Sequence, residues 1–75
     1  QIRAYPNPTS DVIKLDMPYN QIKLVQLVNT TGQVVKQLAG RTNVWYVGDL
    51  TAGLYRMVIY QDSGEISMST MIKMD

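Results

Sequence analysis

The feature that most constrains the fold is an alternation of apolar and polar side chains, which recurs in short runs along the chain. The run "EISMSTMIKM" (65–74) shows it most clearly. No stretch has apolar residues at helical spacing, and β-branched or aromatic residues dominate the runs. Because successive side chains of a β-strand point to opposite faces, a period of two residues predicts strands. The sequence therefore predicts an all-β protein.

Seven such runs lie along the chain, separated by turn-forming residues at spacings of about 8–12 residues. The predicted strands are residues 2–5, 11–17, 22–29, 34–39, 43–47, 54–61 and 65–74. Two hairpins are expected, one around Gly32, where glycine adopts a positive φ at low cost, and one around Asp62-Ser63-Gly64. This spacing is typical of a seven-stranded, immunoglobulin-like antiparallel β-sandwich with Greek-key connections.

The alternation also predicts which residues share a face of a strand. The predicted sets are Ile13, Leu15 and Met17 in the second strand, Tyr55, Met57 and Ile59 in the sixth, and Ile66, Met68, Thr70, Ile72 and Met74 opposite Ser67, Ser69, Met71 and Lys73 in the last. Each strand is thus expected to bury one of its two faces.

A rigid elbow, "PNP" (6–8), interrupts the pattern near the N-terminus. Pro6 and Pro8 fix φ and donate no ladder hydrogen bond, so the first strand must end before them. The polar side chains of this bend are expected to bond the local backbone. They are Asn7, Thr9, Ser10 and Asp11. We predict that the chain passes here from one sheet to the other, with Tyr5 anchoring the corner.

Length and charge exclude several classes of protein. A chain of 75 residues corresponds to one domain with a small core. The net charge is +1 without a run of like charges, which predicts no nucleic-acid partner and no anionic membrane surface. No apolar run approaches the roughly 20 residues of a membrane helix. Since the sequence has neither a starting Met nor a signal peptide, we expect residues 1–75 to be a single domain excised from a larger precursor.

Catalytic and metal chemistry is poorly supported by the residue types. The chain contains no His and no Cys, which removes the usual general base, the thiol nucleophile and the commonest metal ligands. The six carboxylates are scattered over turns and strand faces, and no glycine-rich phosphate cradle occurs. We therefore predict a protein that is not an enzyme, with no catalytic residues, no cofactor and no metal.

Four segments together carry a family resemblance. They are "YPNPTSDVIKLDM", "VQLVNTTGQVVKQ", "LTAGLYRMVIY" and the terminal "MIKMD". In this order and spacing they resemble the C-terminal sorting domain of cargo proteins of the type IX secretion system of Bacteroidetes. The resemblance covers essentially the whole chain, and it implies an immunoglobulin-like sandwich at the end of a longer cargo.

The resemblance implies that the domain is an address and not a catalyst. After transit through the periplasm, it would be recognised by the translocon and by shuttle or sortase components at the outer membrane. In most cargoes a sortase-like protease then removes the domain and attaches the cargo to anionic lipopolysaccharide at the cell surface. The partners implied are this machinery and a cargo domain on the N-terminal side.

Individual motif residues carry over to this chain. The matching positions are Pro6, Asn7 and Pro8 in the elbow, Gly32 in the hairpin, Leu50, Ala52, Gly53 and Tyr55 in the Leu-x-Ala-Gly-x-Tyr motif, and Ile72 and Lys73 at the end. The expected recognition residues are Pro6, Asn7, Pro8, Gly53, Tyr55, Met71, Ile72, Lys73, Met74 and Asp75. Many members end in a more basic segment, so the terminal Asp75 departs from the family pattern.

Each of these residues also has a purely structural interpretation. The elbow is then a strand-to-strand corner, Gly53 supplies a positive φ, and Tyr55 bonds its hydroxyl to the backbone as in a tyrosine corner. Lys73 is either a solvated lysine on an edge strand or a contact with the machinery. In the second case, the terminal strand would dock by strand addition.

The runner-up function is an accessory glycan- or protein-binding module. Trp45 and Tyr46 suggest an aromatic sugar-binding surface, but neighbouring strand residues face opposite ways, so at most one of them is expected to be exposed. Asn29-Thr30-Thr31 fits a glycosylation pattern, although a plain hairpin turn is the simpler interpretation. Exposed edge strands would also permit a dimer. A spacer without any partner is the third option.

Overall fold

A computed structural model describes residues 2–75 and consists of β-strands joined by turns. The strands are β1 (Ala4–Tyr5), β2 (Val12–Leu15), β3 (Ile22–Val28), β4 (Val34–Leu38), β5 (Val44–Tyr46), β6 (Gly53–Gln61) and β7 (Ile66–Lys73). A single 3₁₀ turn, Tyr19–Gln21, connects β2 to β3. The prediction of an all-β protein with seven strands is confirmed, and the observed strands are mostly shorter at their ends.

The strands form two antiparallel sheets that pack face to face as a sandwich. One sheet has the order β1-β2-β5, and the other has the order β4-β3-β6-β7. Both predicted hairpins are present, since β3 pairs with β4 and β6 pairs with β7. The chain changes sheet between β2 and β3, between β4 and β5, and between β5 and β6. The finer immunoglobulin-like assignment stays a prediction.

The core lies between the sheets and contains the predicted inward faces. Fully buried side chains come from both sheets, and they are Ile13, Leu15, Val25, Leu27, Val47, Met57, Ile59 and Met71. Tyr55 completes the predicted face of β6, and Met17 packs at the margin of the core. Burial of these side chains is the main stabilising contribution available to so small a domain.

The alternation predicted for β7 is present, but its more polar face points inward. Met71 and Lys73 are buried and Ser67 is half-buried, whereas Ile66 and Met68 are exposed. The register with β6 explains this arrangement. It places small serines opposite the large inward side chains of β6, with Ser67 beside Ile59 and Ser69 beside Met57. A shift of one residue would exchange the two faces and put larger side chains into a filled core.

The hairpin between β3 and β4 is organised by the side chain of Asn29. Its Oδ1 accepts hydrogen bonds from the backbone N–H groups of Thr31 (3.1 Å) and Gln33 (2.9 Å). Gly32 has the predicted positive φ, +88°. Asn29 therefore acts as a turn residue, as the simpler interpretation of Asn29-Thr30-Thr31 proposed.

No helix within residues 2–75 is long and apolar enough to cross a membrane.

Candidate recognition surface

The elbow at residues 6–8 lies against β7, the last strand of the opposite sheet. Asn7 Oδ1 accepts a hydrogen bond from the backbone N–H of Ile72 (2.8 Å), and Asn7 Nδ2 donates to the carbonyl of Thr70 (3.3 Å). Both peptide bonds that precede the elbow prolines are cis. The polar side chain of the elbow thus bonds the terminal strand and not the local backbone, which corrects that part of the prediction for Asn7.

Thr9 continues the contact as an isolated parallel bridge to Lys73. Its backbone N–H donates to the carbonyl of Ile72 (2.8 Å), and its carbonyl accepts from the N–H of Met74 (2.7 Å). The Thr9 hydroxyl is buried and donates to the carbonyl of Val12, where β2 begins. The prediction that the chain passes at the elbow from one sheet to the other was wrong, because β1 and β2, on either side of it, pair in the same sheet. The elbow turns the chain between two strands of one sheet while it bonds β7 of the other sheet.

Tyr5 does not anchor this corner, so that prediction was wrong. Its side chain is 43% exposed, and the Lys14 ammonium lies 5.9 Å from the centre of its ring. Tyr5 pairs with Lys14 in the first sheet, and the two side chains share the outer face of that sheet. The anchor is instead Thr9, whose backbone and hydroxyl are both bonded. The hydrogen bond from the Thr9 hydroxyl to the local backbone was predicted, whereas its backbone bonds to β7 had no signal in the sequence.

Lys73 is buried, which contradicts its interpretation as a solvated lysine on an edge strand. Only 4% of the residue is exposed, and its Nζ donates to the carbonyl of Met74 (2.7 Å). The physical reason is the two-residue period of β7, because Lys73 must share the inward face of the fully buried Met71. Ile72, Met74 and Asp75 are exposed and form the accessible part of the terminal segment.

The terminal half of the β7 edge is already occupied. Ile72 directs its N–H and carbonyl outward, and both are bonded by the elbow segment. The N–H of Met74 is bonded to Thr9 as well. Strand addition at Ile72–Met74 would therefore have to displace residues 7–9, so this part of β7 is not the open edge that was expected.

The Leu-x-Ala-Gly-x-Tyr motif meets the same strand from its other side. In the β6–β7 ladder, Gly53 pairs with Lys73 and Tyr55 pairs with Met71. Gly53 has a φ of +153°, which confirms the predicted positive φ. The Tyr55 side chain is buried, and its hydroxyl donates to the carbonyl of Thr51 (2.6 Å), as predicted for a tyrosine corner.

Three segments that are remote in sequence thus converge on the terminal strand. The predicted residues of the elbow, of the start of β6 and of the segment 71–75 all lie in this region. The exposed ones are Pro6, Asn7, Pro8, Gly53, Ile72, Met74 and Asp75, and the buried ones are Tyr55, Met71 and Lys73. Seven of the predicted residues are therefore accessible on this surface, and the three buried ones lie beneath it.

An ion pair joins β4 to the loop between β5 and β6. Lys36 Nζ on β4 lies 2.7 Å from Asp49 Oδ1, in the loop between β5 and β6. The hydrogen bond from Lys36 lowers the pKa of Asp49, and the positive charges of Lys36 and Lys73 act in the same direction. No sequence pattern predicted this pair, because Lys36 lies on a strand and Asp49 in a loop more than ten residues further along the chain.

Trp45 and Tyr46 point to opposite sides of β5, as predicted. Trp45 is buried in the core, and its indole N–H donates to the carbonyl of Ala39 (3.1 Å). Tyr46 is 59% exposed and has the Lys36 ammonium 6.0 Å from its ring centre. Only Tyr46 is therefore available for a contact with another molecule.

Among residues 2–75, His, Cys, Asp and Glu form no group of three or more that could hold a metal ion. The family model for the secretion system C-terminal sorting domain matches residues 3–73. The chain belongs to this family. It is the C-terminal sorting signal of type IX secretion cargo, as the resemblance implied.

Several general properties follow from this membership. The sorting domain interacts with the secretion machinery, it is attached to a cargo on its N-terminal side, and its cargo is exported to the cell surface or secreted. Sorting-signal domains are not known as catalysts. A search of curated proteins found no match to this chain.

Proposed function

We propose that the secretion machinery recognises the elbow and the terminal strand of the sorting domain as one folded surface. The observation that carries this proposal is the pair of hydrogen bonds between the Asn7 side chain and the backbone of Thr70 and Ile72. Because these hydrogen bonds hold the elbow against β7, a receptor that binds either segment also contacts the other. The two motifs then act as one signal, and not as two independent peptides.

The recognition residues have two kinds of role in this proposal. Exposed groups make the contacts: Pro6, Pro8, Ile72, Met74 and Asp75. The other residues maintain the shape of the surface. Hydrogen bonds do so at Asn7 and Tyr55, a positive φ at Gly53, and burial at Met71 and Lys73. Asp75 would leave the contact less basic than in many relatives, so affinity would depend more on shape than on charge.

The wider pathway is also part of the proposal. Residues 1–75 would form one C-terminal domain of a larger secreted precursor that crosses the periplasm. The outer-membrane translocon and its shuttle or sortase components would then bind the domain. A sortase would remove it and attach the cargo to the cell surface.

The test is a reporter directed to the periplasm and fused to this domain in a type IX-competent cell. The wild-type fusion should reach the surface, and both Asn7→Ala and Ile72→Thr should reduce export. Ser10→Ala and Val44→Thr are the matched controls, since each alters an exposed residue that is not among the recognition residues. A folded wild-type domain that leaves the reporter in the periplasm would count decisively against the proposal, as would normal export after deletion of Met71–Asp75.

A binding module for glycans is the second candidate, and one observation favours it. Tyr46 presents a largely exposed aromatic ring on β5, the kind of side chain that stacks against a sugar. A glycan array or calorimetry with wild type and Tyr46→Ala tests this function. Trp45→Ala is not informative, because it removes a buried core residue.

A dimer through edge strands is a further proposal about partners. The N-terminal half of β7, around Ile66 and Met68, has no neighbouring strand on its outer side within residues 2–75. Its residues carry neither the lysines nor the prolines that protect many edges. Light scattering on the purified domain measures whether two copies associate.

A further inference from the structure

The outer face of the β6–β7 hairpin carries large apolar side chains in rows. Leu54 pairs with Ile72, Val58 with Met68, and Tyr60 with Ile66. Directly paired residues of an antiparallel ladder lie on the same face. Met68 is 63% exposed and Ile66 is 59% exposed, so the rows reach solvent.

This distribution is the reverse of the usual one for a sandwich. The outer face of an antiparallel sheet is normally polar, because that face is solvated. Here Ser67 and Ser69 occupy the inward positions, and Ile66 and Met68 the outward ones. Burial of Ile66 and Met68 therefore contributes little to the stability of the domain. A contiguous exposed apolar patch of this kind marks an interaction site.

A single cation stands between the rows. Arg56 pairs with Thr70, and it is the only charged residue among the outward-facing positions of β6 and β7. The one ion pair found in residues 2–75 joins Lys36 to Asp49, so Arg56 has no acidic partner there. Arg56 is free to pair with an acid from another molecule.

A shallow cavity lies beside this cation. Its volume is about 170 Å³, and Leu54, Arg56 and Thr70 line it together with Val28 and Gly32 of the β3–β4 hairpin. None of the residues lining it is acidic. Its lining combines the apolar side chains of Val28 and Leu54 with polar residues, namely Asn29, Thr30 and Thr70. The one charge in it is positive, which suits the carboxylate of an Asp or Glu side chain. A guanidinium can bind such a carboxylate with two hydrogen bonds.

We infer that this face docks a protein surface that lays apolar side chains on the rows and inserts a carboxylate beside Arg56. The inference rests on the proposed function and takes the partner to be the machinery component that recognises the domain. The face is continuous with the recognition surface, since Asn7 bonds both Thr70 and Ile72. It thereby extends the contact across the hairpin.

Charge complementarity favours such a partner over a second copy of this chain. In a symmetric dimer the same patch lies on both sides of the interface. Two copies would bring two Arg56 side chains together without an acid from either outward face of the hairpin. One cation is also too little for stable attachment to an anionic membrane. A surface that supplies its own carboxylate meets both requirements.

The experiment uses the fused reporter, with the folded state of each variant verified by circular dichroism. Arg56→Glu reverses the charge, and Met68→Thr removes an apolar side chain that makes little contact with the core. We expect each to reduce surface export by about tenfold, as for residues at the centre of an interface. Arg56→Lys should retain more export than Arg56→Glu, and Val44→Thr, on the outer face of the other sheet, should behave as wild type.

The outcomes separate this inference from the proposed function. Normal export of the folded Arg56 and Met68 variants, together with loss of export in Asn7→Ala, would overturn the inference and leave the proposed function standing. Normal export of all these variants would overturn both. A dimer that dissociates on both the Arg56 and the Met68 substitutions would place a second copy on this face, and not at the β7 edge alone, and would overturn the inference.

Discussion

Ile72 donates its backbone N–H to the side chain of Asn7 at 2.8 Å, across a separation of 65 residues. This contact joins the first sequence motif of the sorting domain to the last one. Because Thr9 bonds the carbonyl of the same Ile72, the terminal strand is held by side chain and backbone together. The stability of the strand and the shape of the signal therefore depend on the same few atoms.

The first prediction concerns this contact. Asn7→Ala should lower the free energy of unfolding by about 0.5–1.5 kcal/mol, the usual net value of one or two hydrogen bonds. The amide of Ile72 should exchange with solvent faster, since its acceptor is gone. Chemical denaturation and hydrogen exchange measure the two effects. Ser10→Ala is the control, and equal stability of both variants would show that the contact contributes nothing.

The second prediction concerns the tyrosine corner. Tyr55→Phe removes the hydroxyl that donates to the Thr51 carbonyl and should cost about 1 kcal/mol of stability. Tyr60→Phe is the matched control, because the Tyr60 hydroxyl bonds the Gln26 side chain on the outer face at 3.2 Å. Tyr60→Phe should therefore lose less stability than Tyr55→Phe. If the two variants unfold at the same denaturant concentration, the buried Tyr55 hydroxyl contributes no more to stability than the Tyr60 hydroxyl does.

The third prediction concerns Gly53. Apart from the two adjoining residues, no atom lies within 4 Å of the place where a Cβ would sit, so an added methyl group clashes with no other part of the fold. The backbone φ of +153° is nevertheless unfavourable for alanine. Gly53→Ala should therefore destabilise the domain by about 1 kcal/mol or more. Ala52→Ser, at the exposed preceding residue, is the control in thermal unfolding, and an unchanged melting temperature for Gly53→Ala would contradict the argument.

The fourth prediction concerns pH. The Lys36 ammonium lowers the pKa of Asp49 from its ordinary value of 3.8 in the folded state. A depressed pKa stabilises the folded state above the ordinary value, and this contribution is lost as the pH falls through the folded pKa. Wild type should therefore lose more stability than Asp49→Asn between pH 5 and pH 2, about the range over which such carboxylates titrate.

The effect of Asp49 should be small, because the pair is exposed to solvent, and it should weaken further in high salt. Urea denaturation across this pH range provides the measurement. Parallel pH profiles for wild type and Asp49→Asn would mean that the ion pair does not contribute to folding.

The fifth prediction concerns the buried lysine. Among the described residues, the Lys73 ammonium group bonds only the carbonyl of Met74. A methionine side chain has a similar shape without the charge. Since replacing a buried charged group by an apolar group of similar volume is often neutral or stabilising, Lys73→Met should fold with equal or higher stability. Lys73→Asp should be clearly less stable, because it buries a shorter charged group. A less stable Lys73→Met would reveal a requirement for the ammonium group.

The strands themselves were predictable from local pattern. Ile13 and Leu15 recur at every second position of β2, as do Tyr55, Met57 and Ile59 in β6. This spacing predicted inward faces, and those faces are buried. Gly32 and Gly53 were predictable because few other residues adopt positive φ. In each case the relevant physics acts within a few residues of chain, which a sequence displays directly.

The contacts of the elbow were less predictable. The prolines indicated that β1 ends and that the chain turns. They did not indicate that Asn7 bonds β7, or that the corner is anchored by Thr9 instead of Tyr5. A side chain such as that of Asn satisfies its hydrogen bonds equally well with local or distant backbone groups. Which partner it meets depends on the path of the whole chain.

The sequence by itself determined that this domain is built from strands, where the strands turn, and which side chains of each strand lie together, because these follow from the stereochemistry of neighbouring residues. Only the tertiary structure decided which face of β7 is buried, and with it the burial of Lys73 and the exposure of Ile66 and Met68. The choice depended on the register with β6, where serines leave space for Met57 and Ile59. Such packing is a property of two strands together, and neither strand carries it alone.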